Sequence, residues 1–385
     1  MADLLVYRAE GAAVAHGHDL YGFTVTRWQL PATYPPFAAI LFVPATWLPV
    51  PALKAAFLAG NTLLLVLLIA LSARLAARPA PLAAPSTPLA AGPTPLSAGP
   101  TLRSAPSTPL PTPLLCAAAA LSLWLEPVFQ TLLFGQINLA LTCLVLWDLT
   151  RPPTARGKGV ALGIAAGIKL TPAVFVPYLF LTGRRREALT AAAACAGTAV
   201  LGGLLLPAAS ADFWTRRLYE TGRVGKVWIV DNQSLQGLLA RALRDPAPGL
   251  AWALPAAAVG AAGLWLAVRA GEDRHGIPLT AFTALLISPI SWSHHWVWCV
   301  PLIAVLLGEG RIRLAALTAT AFTARTFWLL PHQGDRDLHF PWWQQPLASP
   351  YALLGLALLA GAPVLGRRAR QPVPSARISS ASTIR

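Results

Sequence analysis

The feature that most limits what this chain can fold into is the recurrence of long apolar runs almost free of charge, at 52–73, 114–134, 187–207, 250–268 and 350–366. Each approaches the roughly 20 residues that an α-helix needs to cross a bilayer. Shorter apolar runs follow the same pattern at 137–149, 277–291, 295–308 and 314–330. In hydrocarbon every backbone N–H and C=O must be satisfied within the segment, which leaves helices as the spanning form for such runs. Only 12% of the residues are charged and 55% are hydrophobic, whereas soluble domains carry about 25% charged residues. The expected fold is all-α, a polytopic transmembrane bundle of about 10–12 helices with short re-entrant pieces among them.

The net charge of +15, from 30 Lys and Arg against 15 Asp and Glu, raises the question of nucleic acid. The placement answers it. Arg74 and Arg78, Arg151, Arg156 and Lys158, Arg184-Arg185-Arg186, Arg269 and Arg274, and Arg311 and Arg313 flank apolar runs, as the positive-inside rule expects of cytoplasmic ends. No basic segment interleaved with aromatics is present to grip nucleic acid, so that partner is excluded. Membrane lipids are the expected surroundings. Cys116, Cys143, Cys195 and Cys299 lie apart in apolar runs without CxxC spacing and read as small core residues, with no metal site and no cofactor implied. The abundance of Ala, Pro and Arg, with a single Met, suggests a high-GC bacterial genome, so the membrane expected is a bacterial cell membrane.

Residues 37–50 are apolar but broken by proline, which predicts a half-depth helix. Residues 79–113 are rich in Pro, Ser, Thr and Ala with no acid, and read as a cytoplasmic linker too poor in large apolar residues to pack. Residues 159–183 carry basic clusters on both sides. Two half-helices meeting near Lys169-Leu170-Thr171-Pro172 keep both clusters on one side, and Pro172 supplies the break. Residues 209–247 read as a polar external loop, and the tail from Arg367 as a basic, disordered cytoplasmic segment. The resulting order leaves an odd number of helices with residues 3–36 outside, so a further helix is expected upstream.

Under this order the polar motifs collect at the external ends. They are Asp3, Tyr34-Pro35-Pro36, Glu126 with Gln136 and Asn138, Asn232-Gln233-Ser234, and Ser291 with His294-His295. Polar groups at membrane depth are costly and mark function by default. Asp3 is either a solvated acid near a chain end or a general base, and Glu126 is the rival carboxylate. His294 and His295 lie among Trp292, Trp296 and Trp298, either as interfacial decoration or as donors to an anionic leaving group. Lys169, set among apolar neighbours, either snorkels to an interface or pairs with an acid or phosphate. The 209–247 loop carries Arg216, Arg217, Arg223, Lys226, Arg241 and Arg244, against the orientation rule, which points to anionic lipid or phosphate.

The motifs also occur in a recognisable order. Asp-Leu-x-Val-Tyr from Asp3, Gly-x-x-Leu-Tyr from Gly17, Tyr-Pro-Pro-Phe from Tyr34, Glu-Pro-Val from Glu126 and Gly-Gln-Ile-Asn-Leu from Gly135 come first. Lys-Leu-x-Pro from Lys169, Asn-Gln-Ser from Asn232 and Ser-Pro-Ile-Ser-Trp-x-His-His from Ser288 follow. Together they resemble glycosyltransferase family 87, the actinobacterial polyprenyl-phosphate-mannose-dependent α-mannosyltransferases of the GT-C superfamily. The resemblance implies one catalytic transmembrane domain over 1–366, with 79–113 inserted, and an active site on the external face. It implies that Asp3 matches the catalytic aspartate of the first external loop, that a transmembrane helix precedes that loop, and that the histidine motif lines the donor site.

The implied chemistry suits these residues. A polyprenyl-phosphate sugar already carries a good leaving group, so inverting a β-linked donor to an α-product needs one carboxylate to deprotonate the glycolipid acceptor hydroxyl. Cationic or N–H donors then stabilise the departing phosphate. The expected site is Asp3 as base, with His294, His295, Lys169, Tyr34, Gln136, Asn138, Asn232, Gln233 and Arg223 for the donor phosphate and substrate. Two rivals stand beside this reading. One is a GT-C transferase of another lipid-linked sugar, such as arabinofuranose. The other is a transporter or lipid flippase, which predicts inverted repeats and polar residues at mid-membrane.

Overall fold

The computed structural model describes residues 1–77, 111–332 and 334–368, with side chains to 362. The linker expected at 79–113 and the tail from 367 fall almost wholly outside the described residues. Of the described residues 73% are helical, and the β-structure among them is one two-residue pair, β1 (Thr24–Val25) against β2 (Leu30–Pro31), and an isolated bridge between Asn232 and Trp292. The all-α expectation holds.

The helices in chain order are α1 (Ala2–His16), α2 (Pro36–Leu41), α3 (Val50–Ala76), α4 (Thr112–Ser122), α5 (Glu126–Phe134) and α6 (Asn138–Thr150). Next come α7 (Val160–Ile168), α8 (Phe175–Leu181), α9 (Arg185–Leu205), α10 (Pro207–Asp212), α11 (Leu235–Leu243) and α12 (Gly249–Arg269). The last are α13 (Asp273–Ile287), α14 (Cys299–Gly308), α15 (Ile312–Thr323), α16 (Gln345–Ala348) and α17 (Pro350–Arg368). Three of them, α3, α9 and α12, are long and apolar enough to cross a membrane, and two bent pairs raise the number to five. Large apolar side chains stand exposed on these helices, among them Leu63, Leu204, Leu254 and Trp265. A helix apolar on its outer face as well as its inner one is built for lipid rather than water.

Several sequence expectations are met. Residues 37–50 form the short α2 and a 3-10 turn, Val43–Thr46. Residues 159–183 break as expected, with Lys169 in extended conformation between α7 and the 3-10 turn Thr171–Val174 that leads into α8.

Four expectations need correction. Asp3 lies on a helix, α1, rather than in a loop. Its apolar residues repeat at helical spacing, burying Leu4, Tyr7 and Gly11 on one side, and Gly17 closes it at φ 67°. The run 114–134 is not one straight span, because α4 and α5 meet at an angle of 81°. Pro127 has no N–H to give a carbonyl one turn back, so α4 cannot run through it. The run 314–330 is helical only to Thr323, where Arg325 takes a left-handed φ of 50° and a 3-10 turn follows. The 209–247 segment also holds more structure than a loop, since α10, a π-turn over Phe213–Arg217 and α11 lie in it.

Close helix packing fixes the part of the bundle beneath the polar motifs. On α7 and its N-terminal flank, Gly159, Gly163 and Gly167 repeat every four residues and face α9. A Cβ at Gly163 would lie 2.3 Å from the Ala191 carbonyl oxygen, and one at Gly167 would lie 1.9 Å from Thr198 Oγ1. Small residues at this spacing let membrane helices approach backbone to backbone. Lys169 follows directly from the end of α7, so this packing sets where it stands.

Candidate active site

Five segments supply the site: the start of α1, the α5–α6 turn, the α7–α8 break, the 3-10 turn Ser293–Trp298 that follows α13, and Tyr34 just before α2. Gly135 brings the first two together. It ends α5 at φ 73°, and a Cβ there would come within 2.8 Å of Leu4 Cβ, so glycine alone lets α1 lie against this turn. Gln136 then reaches Asp3. Its Nε2 donates to Asp3 Oδ2 at 2.6 Å, and its Oε1 accepts from Tyr7 at 2.7 Å and Tyr34 at 3.3 Å. The two tyrosine hydroxyls are 3.0 Å apart. Tyr7 is four residues after Asp3 and therefore on the same face of α1. Asp3 Oδ1 accepts no hydrogen bond among the described residues, which leaves one carboxylate oxygen for a substrate.

The second half of the site is cationic. Lys169 Nζ donates to Asn138 Oδ1 at 3.2 Å and to His295 Nε2 at 2.8 Å, and it lies 5.7 Å from the centre of the Tyr34 ring. Because the ammonium only donates, His295 Nε2 must accept, which makes His295 a neutral imidazole protonated on Nδ1. The third N–H of Lys169 meets no protein acceptor, and no carboxylate lies at ion-pair distance from it among the described residues. His294 is 3% exposed, yet neither ring nitrogen has a protein partner. Its carbonyl accepts from Asn138 Nδ2 at 2.9 Å and Thr131 Oγ1 at 3.2 Å, and its ring packs on Phe134. Buried polar groups are ordinarily satisfied, so the free Lys169 N–H and the His294 ring together describe a place for an anion.

Electrostatics join the halves. α1 lies outside the candidate spans. Burial pushes the Asp3 carboxyl upward, while the Gln136 hydrogen bond, the Lys169 charge and the N-terminal amine oppose the rise. Beside Lys169, Asn138 and His295 an apolar cleft opens, lined by Leu141, Val145, Phe175, Leu285 and Trp298. Among the described residues no group of three His, Cys, Asp or Glu side chains is arranged to hold a metal ion.

The remaining sequence candidates lie elsewhere or are occupied. Asn232 is fully buried. Its Nδ2 donates to the Val227 and Pro289 carbonyls, and its Oδ1 accepts from the Ser234 and Ser291 amides. Gln233 donates to the Val230 and Ala348 carbonyls and accepts from the Tyr351 amide. Both amides fasten the loop before α11 to its neighbours. Arg223 donates to the Ala32 carbonyl and lies over the Tyr21 ring at 5.5 Å, beside Tyr21 rather than against Lys169. Glu126 is fully buried, with Oε1 accepting from Trp328 Nε1 and Oε2 from the Tyr351 hydroxyl, each at 2.9 Å.

Two acids near the site were not among the sequence candidates. Asp231 immediately precedes Asn232-Gln233-Ser234, and its Oδ1 accepts from the Ser293 amide at 3.1 Å. Burial pushes its carboxyl up to about 6, the Ser293 hydrogen bonds oppose this, and the charge of Asp3 is near enough to add to the rise. Glu10, 1% exposed, accepts from the Thr33 amide with one oxygen and leaves the other unpaired. Its spacing of seven from Asp3, which puts both on one face of α1, was the available signal.

A family profile described as glycosyltransferase family 87 matches residues 32–289. The chain belongs to glycosyltransferase family 87. Asp3 and the two histidines lie outside the matched range, on either side of it. The chain is 35% identical, over 96% of its length and 86% of the relative, to a polyprenol-phosphate-mannose-dependent alpha-(1-2)-phosphatidylinositol mannoside mannosyltransferase of Mycobacterium tuberculosis. A protein of the same description from Mycolicibacterium smegmatis is 34% identical over 93% of the chain and 82% of the relative. A phosphatidylinositol pentamannoside mannosyltransferase, also from Mycolicibacterium smegmatis, is 32% identical over 93% and 83%. No solved structure matches the chain. This family 87 member is thus a glycosyltransferase.

Proposed function

We propose that the chain is an integral-membrane mannosyltransferase with a bundle of GT-C type. It moves mannose from a polyprenyl-phosphate donor to a hydroxyl of a phosphatidylinositol-mannoside-like glycolipid on the external face of the bacterial cell membrane. The observation that carries this reading is a carboxylate with one oxygen unbonded to protein, joined through Gln136 and Tyr34 to a lysine, near a buried histidine whose ring nitrogens have no protein partner. The donor phosphate sits against Lys169 and His294, and the polyprenyl chain follows the apolar cleft beside Trp298. Asp3 Oδ1 takes the acceptor proton as the acceptor oxygen bonds to the anomeric carbon from the face opposite the phosphate. The anomeric C–O bond breaks, and its electron pair leaves on the polyprenyl phosphate, so configuration inverts and one carboxylate suffices. General-base help of this kind contributes about 10²–10⁴-fold, and fixed donors at the departing phosphate add to it.

Membranes holding the full chain, given radiolabelled polyprenyl-phosphate-mannose and phosphatidylinositol mannosides, should produce an extended labelled glycolipid. Asp3→Asn, accumulating to the same level, should lose about 10²–10⁴-fold of that rate. Full activity in Asp3→Asn would remove Asp3 from the chemistry. Labelling from a polyprenyl-phosphate-arabinofuranose donor alone would change the sugar.

A further inference from the structure

The turn that presents the two histidines is irregular, and its geometry needs an external hold. α13 stops at Ile287, Ser288 is extended, and Ser293–Trp298 is a 3-10 turn with a non-helical Trp296 inside it. Trp292, at its N-cap, makes no side-chain cap of its own. The segment is held from across by residues 231–234. Asn232 and Trp292 pair as an isolated antiparallel bridge, Ser291 donates its amide to Asn232 Oδ1, and Gln233 donates its amide to the Ser291 carbonyl. Within this clamp Asp231 is the one acid, and it takes the Ser293 amide, the first free N–H of the turn.

We propose that Asp231 is a positioning residue for the transfer, whose carboxylate caps the histidine turn and so aims His294 and His295 at the donor phosphate. This rests on the reading of Lys169 and the histidines as the phosphate site. The cap matters because His294 has no side-chain hydrogen bond of its own to fix its ring. Its orientation comes from packing on Phe134 and from its backbone, held by Asn138 and Thr131 at the carbonyl and by Asp231 one residue earlier. Ser, Thr, Asp and Asn serve well at such a position because a short side-chain oxygen reaches the orphan amide. An aspartate adds a negative charge at the positive end of the turn.

The test compares Asp231→Ala, Asp231→Asn and Asp231→Glu in the full chain. Asn keeps an oxygen at the same place, Glu keeps the charge but shifts the oxygen by a methylene, and Ala keeps neither. Asp231→Ala should raise the donor KM roughly 5- to 30-fold, the factor that loss of such a cap corresponds to, with a smaller change in kcat. Asp231→Asn should stay near wild type. A wild-type donor KM in Asp231→Ala overturns the proposal. Should Asp231→Ala not accumulate, the other two decide: Asn nearer wild type than Glu supports the cap, and Glu as good as Asn overturns it. Amide hydrogen exchange across 291–298 reads the cap with no substrate present and should be faster in Asp231→Ala than in wild type. If the wild type transfers no mannose, the functional reading fails and exchange alone judges Asp231: faster exchange sustains its hold on the turn, and unchanged exchange overturns it.

Discussion

Gly163→Ala is the substitution whose effect the structure specifies most closely. The new methyl would lie 2.3 Å from the Ala191 carbonyl oxygen, 2.6 Å from Ala194 Cβ and 2.9 Å from Cys195 N. Ordinary contact begins at 3.4 Å, so α7 and α9 must separate by about 1 Å, since close-packed interiors have no slack to absorb it. Overpacking of this kind costs about 1–3 kcal/mol. The functional effect should be larger than the loss of stability, because the shift travels along α7 to Lys169, one residue past its end. A displacement of about 1 Å in a positioning group can cost about 10²-fold in rate. Gly197→Ala is the control, since a Cβ at that exposed position of α9 meets nothing within 4 Å. Replacing glycine by alanine in an open helix position is neutral to favourable, by up to about 1 kcal/mol. The assays are thermal unfolding of purified protein in detergent and mannosyl transfer at saturating and limiting donor. Gly163→Ala should melt several degrees lower and transfer about 10²-fold more slowly, while Gly197→Ala matches wild type in both. Equal behaviour of the two variants would refute the α7–α9 contact as the determinant of where Lys169 stands.

Lys169→Met removes the ammonium from Asn138 and His295 and should raise the donor KM about 10- to 100-fold, the scale of a lost charged hydrogen bond; an unchanged KM would take Lys169 out of the phosphate site. Glu126→Gln should keep most of the transfer activity, because an amide can still accept from Trp328. Glu126→Leu leaves the Trp328 N–H unpaired, at about 1–3 kcal/mol, and the Tyr351 hydroxyl with only its 3.4 Å bond to the Phe322 carbonyl, read as a lower melting temperature, and loss of transfer in Glu126→Gln at an unchanged melting temperature would instead make Glu126 part of the chemistry. Glu10 gives a pH signature. Burial raises its carboxyl from the usual 4.5 to about 8, while hydrogen bonds from the Thr33 and Tyr34 backbone and the Arg223 charge oppose the rise. The folded state therefore holds a proton that the unfolded chain releases, so the stabilisation is complete below pH 4.5 and is lost as pH rises to about 8. Glu10→Gln should flatten the fall in melting temperature across that window, and identical profiles for the two proteins would contradict a neutral, buried Glu10.

The sequence carried the class of the fold and much of the composition of the site. Apolar runs with few charges dictate helices in a membrane, because each residue adds its own transfer energy and its own backbone demand wherever it sits. Pro172 beside Lys169 dictated the break between α7 and α8, since the missing N–H is a local fact. Gly135 and Gln136 were legible as a polar turn, though not as the piece that touches Asp3. The bend between α4 and α5 was not legible, because the hydropathy of 114–134 runs on unbroken and Pro127 permits either a kink or a new helix.

Only the tertiary structure decided which polar groups meet. It put Asp3 on a helix against Gln136, joined Lys169 to His295, gave Glu126 to Trp328 and Tyr351, and laid Asp231 on the histidine turn. Hydropathy and helix periodicity depend on neighbours in the chain, so the sequence determined an all-α membrane protein with a polar cluster at the helix ends. Hydrogen bonds between Asp3 and Gln136, or Asp231 and Ser293, span gaps of more than sixty residues. They exist only once helix packing has closed those gaps, as the glycines facing α9 and Leu4 do here.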